Sequence, residues 1–272
     1  EEDPIRSVCA GGLKIVILSR GNLHFVAASS VPHESEAFLQ LQLEYINHQL
    51  LSMLTSAVQA TLARKPGTDI RSLLGCDAPL RAVALQAEED LSFCVDSIPT
   101  LCLNDSLRVE VQRVLGSREA RVSTCLCSAL CCRRSLLGLV QMKRADTRLW
   151  ASDLNLALNF VVSQKIGVRG EETWTPLCLP RFRADVNVQV YIGILDAKAN
   201  IYLLMISHDN SPDTFDQLRA SRRAIQNALR RDNMLRQLSR SVSHNTQATA
   251  YYSYCKESSA LHFFYKRHAV SP

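Results

Sequence analysis

Two neighbouring apolar runs, residues 186–195 and 200–207, constrain the fold of this chain more than any other feature. In the first run, valines and an isoleucine alternate with smaller or polar residues, which is the pattern of a half-buried β-strand. The second run is continuously apolar, which suits a strand buried on both faces. Ser211 and Pro212 then predict the start of a helix, which we expect to extend to Arg240. The order strand, strand, helix favours a mixed α/β fold.

The N-terminal part of the chain predicts a similar arrangement. Three short apolar runs separated by Gly11-Gly12 and Gly21-Asn22 indicate strands at residues 5–10, 13–20 and 23–29. Residues 34–64 repeat apolar side chains every three or four positions, which predicts one long helix. We expect its apolar stripe to face its own sheet, although a partner-binding role is the alternative. A shorter helix is predicted over residues 79–95.

The middle of the chain predicts a connector and the beginning of a second unit. Residues 97–118 read as a helical connector, with Asn104 or Asp105 as the N-cap. A hairpin of residues 122–130 and 136–143 follows, and we expect Asp153 to cap the helix after it. Residues 261–266 carry a last strand signal.

The two halves differ in completeness. The second unit has the order hairpin, helix, three strands, helix, whereas the first has only three strands and helices. This order is that of the longin and roadblock class, an α/β (α+β) fold in which helices pack on antiparallel sheets. We therefore predict tandem longin/roadblock-like domains: a partial first domain at 1–96, the connector at 97–118, a second domain at 119–245, and the start of a largely absent third domain at 246–272. On this interpretation the chain is part of a longer protein.

Ten cysteines raise the question of a metal site or disulfides. No C-x-x-C pair occurs, and no histidine lies within the dense cluster at residues 125–132. Cys125 and Cys127 would share one face of a strand, so both could coordinate an ion. Buried reduced thiols are the simpler interpretation, because a free cysteine behaves as a small hydrophobic residue.

The sequence gives no sign of covalent catalysis or of a bound cofactor. It contains no phosphate-binding G-x-x-x-x-G-K-[ST] loop, no H-E-x-x-H and no G-x-S-x-G, and its seven histidines are dispersed. Hydrophobic residues make up 47% and charged residues 21%, which is a globular composition. No apolar run approaches the roughly 20 residues that a membrane-spanning helix needs.

Four segments of the sequence resemble the vacuolar fusion protein Mon-one, or SAND, family. They are Ile-Arg-Ser-Val at 5–8, Leu-Glu-Tyr-Ile-Asn-His-Gln-Leu-Leu-Ser-Met-Leu-Thr at 43–55, Arg-Ser-Leu-Leu-Gly at 71–75 and Trp-Thr-Pro-Leu-Cys-Leu-Pro-Arg-Phe at 174–182. The last is the most specific, and residues 262–266 resemble the start of that family's third domain. The cysteine cluster departs from the family pattern.

The resemblance implies a subunit of a guanine nucleotide exchange factor and no enzyme of covalent chemistry. Such a subunit would pair with a Ccz-type longin subunit and activate the late-endosomal Rab GTPase. It would be cytoplasmic and peripheral on late endosome, lysosome or vacuole membranes that carry phosphoinositides. The alternative is a non-catalytic longin-type scaffold for trafficking.

Several side chains are candidates for contacts with these partners. The polar residues that flank the first hairpins could face the GTPase; they are Arg6, Lys14, Arg20 and Asn22. An apolar sheet face of Ile15, Ile17 and Phe25 is expected to be partly uncovered and to form an interface with the Ccz-type subunit.

The last helix carries an excess of arginines. Four of them are expected to lie outside or beside its apolar stripe and to contact an anionic membrane or an acidic partner; they are Arg222, Arg223, Arg230 and Arg231. An ordinary solvated face is the alternative, and nucleic-acid binding is weaker because few aromatic residues lie among the basic ones. Trp174 could anchor a partner, but a core position is favoured.

Overall fold

The computed structural model describes residues 5–89, 95–142, 147–164 and 172–245. Its first sheet is an antiparallel meander of β1 (Ser7–Ala10), β2 (Leu13–Arg20) and β3 (Leu23–Ser29), in that order. The ladder of β2 and β3 is continuous from the Lys14–Ser29 pair to the Arg20–Leu23 pair. These are the three strands that the sequence predicts.

Four helical segments follow this sheet, where the sequence predicts two. They are α1 (Glu36–Leu54), α2 (Ala57–Arg64), α3 (Arg71–Leu74) and α4 (Ala78–Glu89). The prediction of one helix over 34–64 is wrong because Thr55 adopts a φ of 60° and ends α1. The break is held from outside the helix, since the Ser56 N–H donates to the carbonyl of Ala184 at 2.9 Å.

Helix α1 is central to the molecule and is covered on several sides. Leu39 and Leu43 pack on Val16 and Leu18 of the first sheet. Tyr45 packs with Val83 and Ala87 of α4. The same helix also contacts β6 and α6 of the second unit. The stripe therefore faces its own sheet, as expected, and the rest of α1 is used in contacts within the chain.

The second sheet contains the five strands that the sequence predicts. The second unit, which contains this sheet, consists of α5 (Asp105–Leu115), β4 (Cys125–Cys132), β5 (Ser135–Gln141), α6 (Ala151–Ser163), β6 (Thr173–Leu179), α7 (Pro180–Arg183), β7 (Ala184–Asp196), β8 (Ile201–Ser207), α8 (Pro212–Arg231) and α9 (Met234–Asn245). The strand order is β5-β4-β8-β7-β6, and all neighbours are antiparallel. Two antiparallel sheets with packed helices are the architecture of longin domains.

Helices cover both faces of the second sheet, which explains its long apolar strands. The core on one face joins Tyr191, Leu203 and Met205 to side chains of α5, α8 and α9. The core on the other face joins Ile192 and Leu204 to side chains of α6. Every residue of β4 and of β8 is buried. This double burial removes the polar alternation that a half-exposed strand would show.

The segment before α5 protects one edge of this sheet. The Leu101 N–H donates to the carbonyl of Leu136, and the Leu136 N–H donates to that of Pro99, at 2.9 and 2.8 Å. Helix α5 then begins at Asp105 with Asn104 as its N-cap, as predicted, and the Asn104 side chain accepts from the Leu107 N–H at 2.8 Å. The connector is thus packed along β5.

Two further helix predictions need correction. The helix expected over 212–240 is divided into α8 and α9 by Asp232 and Asn233, of which Asn233 has a φ of 56°. Residues 241–245 also belong to α9, so the helical region extends beyond the expected end at Arg240. Asp153 is not an N-cap, because Trp150 occupies that position and Asp153 is buried.

Other predictions fall on residues that the structure does not describe. The expected strand at 261–266 lies outside the described residues. Beyond residue 243, the structure describes only residues 244 and 245, which end α9. Over the part of the chain that is described, no helix is long and apolar enough to cross a membrane.

Candidate partner and membrane surfaces

Lys14 and Arg20, two of the residues expected to face a GTPase, lie at opposite ends of β2. At about 3.4 Å per residue, they are about 20 Å apart. The Lys14 ammonium group donates to the carbonyl of Glu34, just before α1. Arg20 forms an ion pair with Glu44, in the middle of α1. Arg20 keeps 45% of its side chain exposed. Arg20 could therefore contact a partner either with its ion pair to Glu44 kept or with that ion pair broken.

Asn22 lies close to Arg20 because both are bound by Gln59 of α2. The Gln59 side-chain oxygen accepts from the Asn22 backbone N–H at 3.1 Å, and its amide group donates to the Arg20 carbonyl at 2.9 Å. Gly21 has a φ of 58°, and a Cβ there would lie 2.5 Å from the Gln59 oxygen. The turn thus requires glycine both for its backbone conformation and for space.

Arg6 lies at the other side of the first sheet. Its side chain is exposed, and its carbonyl accepts from the Ile17 N–H at 2.8 Å. The four predicted residues therefore do not form one cluster. Arg20 and Asn22 are neighbours, whereas Lys14 and Arg6 belong to different parts of the sheet.

The first sheet has an exposed apolar face on the side away from α1. The expectation that Phe25 belongs to it is wrong, because Phe25 points the other way and packs in the core with α1. The exposed face carries Val8, Leu13 and Val26, exposed by 44%, 43% and 60%, beside half-buried Ile15 and Ile17. Patches of this kind mark interaction surfaces in soluble proteins.

Three arginines of α8 form an outward basic strip. Arg223, Arg230 and Arg231 are exposed, and none of them makes an ion pair with another described side chain. Arg223 lies two turns before Arg230 on the same helix, so the three groups extend along one side of α8. We call these three residues the basic strip.

Arg222 does not belong to the basic strip, and the expectation that it faces outward is wrong. Its side chain is 19% exposed and lies on the sheet, where Nη2 donates to the Ile194 carbonyl at 3.0 Å. Nη1 lies 3.5 Å from a carboxylate oxygen of Glu172. Gly193 makes this placement possible, since a Cβ there would come within 2.9 Å of the Arg222 Cγ. That glycine in β7 is the signal by which the sequence could have separated Arg222 from its neighbours.

Trp174 packs against the core of the second unit, in agreement with the position that the sequence favours. Its ring packs edge-on against Phe215 with centroids 5.2 Å apart. Arg219 lies over the Phe215 ring, 4.6 Å from its centroid, and donates through Nε to Glu172 at 2.7 Å. The tryptophan is therefore engaged within the fold and half-buried.

The cysteine cluster has no geometry for metal binding. A register shift between Cys125 and Cys127 turns Cys125 toward the core of α5 and α8, whereas Cys127 points to the core of α6. The expectation that both share one face is wrong because of this irregularity. Burial raises the pKa of the Cys127 and Cys131 thiols, so both stay protonated. Among the residues described, no group of three or more histidine, cysteine or acidic side chains could hold a metal ion.

Asp153, which the sequence predicts as a helix cap, is instead a buried carboxyl group where α6 meets α7. One oxygen of Asp153 accepts from the Arg181 backbone N–H at 3.1 Å, and the other oxygen has no hydrogen-bond partner. Burial raises the pKa of Asp153 to about 6. The carboxyl group thus fixes the start of a four-residue turn at an electrostatic cost.

The side chain of Arg181 joins this site to the connector. Its Nη1 donates to Asp96 at 3.0 Å and to the Ser152 hydroxyl at 3.2 Å, and its guanidinium lies 4.6 Å from the centre of the Trp150 ring. Burial lowers the pKa of His48, with a further contribution from Arg181. Sequence reasoning missed this group because its members come from four separate segments.

Comparison with known proteins finds a domain family that matches the N-terminal part of the chain. The model that describes the first longin domain of FUZ, MON1 and HPS1 matches residues 1–79. The match covers the first sheet and helices α1 to α3.

Full-length relatives align over most of the chain. Vacuolar fusion protein MON1 homolog A of Homo sapiens is 32% identical over 233 residues, which cover 85% of this chain and 34% of the relative. The protein of the same name in Gallus gallus is 30% identical over 273 residues, which cover 98% and 47%. Vacuolar fusion protein MON1 homolog of Oryza sativa is 30% identical over 241 residues, which cover 88% and 41%. The chain spans between a third and a half of the length of these relatives.

Proposed function

Because the chain belongs to the family of MON1 and SAND vacuolar fusion proteins, we propose that it forms part of a subunit of a guanine nucleotide exchange factor complex. The complex would activate the late-endosomal Rab GTPase in endosome maturation, vesicle trafficking, autophagy and vacuole or lysosome fusion. The observation that carries the proposal is the alignment with vacuolar fusion proteins over most of the chain. The two antiparallel sheets with packed helices are consistent with it.

Exchange requires differential affinity and no covalent chemistry. A surface that binds the nucleotide-free GTPase more tightly than the loaded one shifts the equilibrium toward nucleotide release. Such a surface consists of ordinary polar and apolar side chains. The absence of a nucleophile or metal motif from the sequence is compatible with this activity.

The first sheet is the proposed site of assembly with a Ccz-type longin subunit. Its exposed apolar face, with Val8, Leu13 and Val26, supplies area that an interface would bury. Arg20 and Asn22 lie at the β2–β3 turn and are the polar groups that we assign to the GTPase-facing side. Lys14 and Arg6 remain candidates at other positions of the same sheet.

The basic strip is the proposed contact with an anionic, phosphoinositide-bearing membrane. On this proposal the protein is a peripheral component of the cytoplasmic surface of late endosomes, lysosomes or vacuoles. Each basic residue near an anionic leaflet gains about 1 kcal/mol, and salt screens the gain. Three exposed guanidinium groups therefore give weak and reversible attachment.

An exchange assay tests the activity directly. The chain is combined with the Ccz-type subunit and the late-endosomal Rab loaded with a fluorescent guanine nucleotide, and nucleotide release is followed with time. We expect release to be faster with both subunits than with the Ccz-type subunit alone. Complex formation without acceleration would favour the alternative, a non-catalytic longin-type scaffold.

Charge reversal at Arg20 tests the proposed surface. Arg20→Glu should slow exchange, because it removes a cation and repels Glu44. The swap Arg20→Glu with Glu44→Arg is the matched control, since it restores the ion pair but leaves the changed charge at position 20. Normal exchange by the swapped variant would exclude Arg20 from the GTPase contact.

A further inference from the structure

The contact between the two units contains a buried amide network. Asn159 of α6 is 1% exposed, and its amide group donates both to the Gln49 side-chain oxygen and to the Pro79 carbonyl, each at 2.7 Å. The Asn159 oxygen accepts from Arg134 at 3.3 Å. A single side chain of the second unit is thereby bound to α1, to the start of α4 and to the β4–β5 turn.

Gln49 completes the network from the side of the first unit. It is fully buried on α1 and donates to the Ser52 hydroxyl at 2.8 Å, while that hydroxyl donates to the Gln49 carbonyl at 2.7 Å. Arg134 in turn donates to the buried Gln86 of α4. Every donor and acceptor group of the Asn159 amide is therefore used.

A second hydrogen bond from α6 to another part of the chain lies close to the first. Asn155 of α6 donates to the Ser97 carbonyl at 2.9 Å, one turn before Asn159. Further along the contact, the Asp96 carboxylate receives hydrogen bonds from Tyr45 of α1 and from Arg181 of α7. The polar bonds between the units thus run along one side of α6 and meet both α1 and the connector.

These bonds are satisfied at one placement of α1 against α6. Apolar packing is non-directional and tolerates sliding of one helix over another. A buried amide that loses its partner keeps the full cost of having left water. A shift of α1 by one turn would break the bond between Asn159 and Gln49 and leave the buried Gln49 side-chain oxygen without its donor, so alternative placements are disfavoured.

We propose that the Gln49–Asn159 pair is a positioning device that holds the first unit in one orientation on the second, so that the chain behaves as one rigid body. The inference is independent of exchange activity. Its consequence is that a surface on the first sheet and the basic strip on α8 keep a constant relation to each other.

A double-mutant cycle read by hydrogen exchange tests this device. Gln49→Met and Asn159→Leu each leave one buried amide without its partner. We expect each to lower the urea midpoint and to speed exchange of the α1 amides by about tenfold or more. Asn227→Leu, at an exposed position of α8, is the matched control and should change neither.

The double variant separates positioning from mere stabilisation. With both amides replaced by apolar groups, the urea midpoint should recover part of the way from that of Asn159→Leu toward that of the wild type, since the Gln49 amide no longer lies unpaired. The Pro79 carbonyl, which loses the Asn159 amide in both variants, limits the recovery. The α1 amides should nevertheless stay fast-exchanging, because apolar contact does not fix the placement. Wild-type protection of α1 in the double variant would overturn the proposal. If Asn159→Leu does not fold, Gln49→Met alone decides, and unchanged α1 protection in it overturns the proposal equally.

Discussion

At the scale of single residues, Asp153 makes stability depend on pH. Its pKa is raised from 3.8 to about 6 in the folded protein, so folding favours the protonated form. The contribution is fully present below pH 4 and is lost as the pH rises to about 6. The loss amounts to at most about 3 kcal/mol. We expect Asp153→Asn to flatten the dependence of the free energy of unfolding on pH between 4 and 6.

Urea unfolding at several pH values measures this effect. Asp185→Asn is the control, because Asp185 has an exposed side chain at the start of β7. It should leave the difference between pH 4 and pH 6 as in the wild type. A wild-type pH profile for Asp153→Asn would show that another group titrates in this range.

Residue-level prediction from the sequence succeeds where the side chain acts on its own segment. Asn104 and Ser211 cap their helices as expected, because a cap needs only the following turn of backbone. The prediction that Asp153 caps its helix is wrong because the carboxyl group accepts from the Arg181 N–H, which belongs to a distant segment, and is buried there. The predictions that Arg222 faces outward and that Phe25 is uncovered are wrong for a related reason. In both cases the direction of the side chain depends on packing between a sheet and a helix that are separate in the sequence.

At the scale of elements, the end of α1 is strained at Thr55. A β-branched residue at a φ of 60° costs about 1–3 kcal/mol. Thr55→Gly relieves this strain, although glycine adds freedom to the unfolded chain and the hydrogen bond from the Ala57 N–H to the threonine hydroxyl is lost. We expect a net stabilisation of about 1 kcal/mol, measured by urea denaturation.

Thr61 provides the contrast within the next helix. It lies inside α2 in ordinary helical backbone, so Thr61→Gly should destabilise the protein by up to about 1 kcal/mol. Destabilisation by both glycine substitutions would mean that Thr55 stores no strain.

The basic strip of α8 gives a prediction about membrane attachment. Changing Arg223, Arg230 and Arg231 to glutamine should weaken binding to anionic liposomes, because about 1 kcal/mol of attraction is removed with each charge. The loss should be clearest at low salt, where screening is weakest. Sedimentation with liposomes that contain phosphoinositides measures the bound fraction, and exchange in solution should stay normal.

Arg222→Gln is the internal control for this experiment, since Arg222 lies on the sheet and bonds to Ile194. It should leave liposome binding close to that of the wild type. Equal binding by the triple variant and the wild type would identify the strip as an ordinary solvated face.

Element-level prediction is accurate for strands and less so for helix ends. The alternation and the continuous apolar runs identify all eight described strands, because pleated backbone imposes its period directly on the sequence. The break at Thr55 has no glycine, proline or asparagine beside it, so nothing in the local sequence marks it, whereas the break at Asn233 is marked only by the asparagine itself, which tolerates a positive φ. The shift between Cys125 and Cys127 is likewise set by pairing with β8.

At the scale of the whole molecule, the sequence predicts two sheet-and-helix units, and the structure has two. It does not predict how the units meet. The amides of Gln49 and Asn159 are ordinary helical residues in the sequence, and only the approach of α1 to α6 makes them partners. The proposed GTPase-facing residues share only a position near hairpin ends in the sequence, and the fold distributes them over different parts of one sheet.

The strand order of the second sheet also decides when that sheet can form on the ribosome. β4, wholly buried and close to the start of the unit, has β8 as one of its two neighbours, and β8 is the last strand of this sheet to be synthesised. The β4–β5 hairpin can close early, but one edge of β4 must wait through the synthesis of α6, β6 and β7. Pairings between distant segments form slowly, and unpaired apolar edges recruit other chains. In the nascent protein, β4 therefore has an unpaired edge that can bind other chains, although it is fully buried once the protein has folded. The yield in cells should depend on chaperones that shield residues 125–132 until β8 emerges.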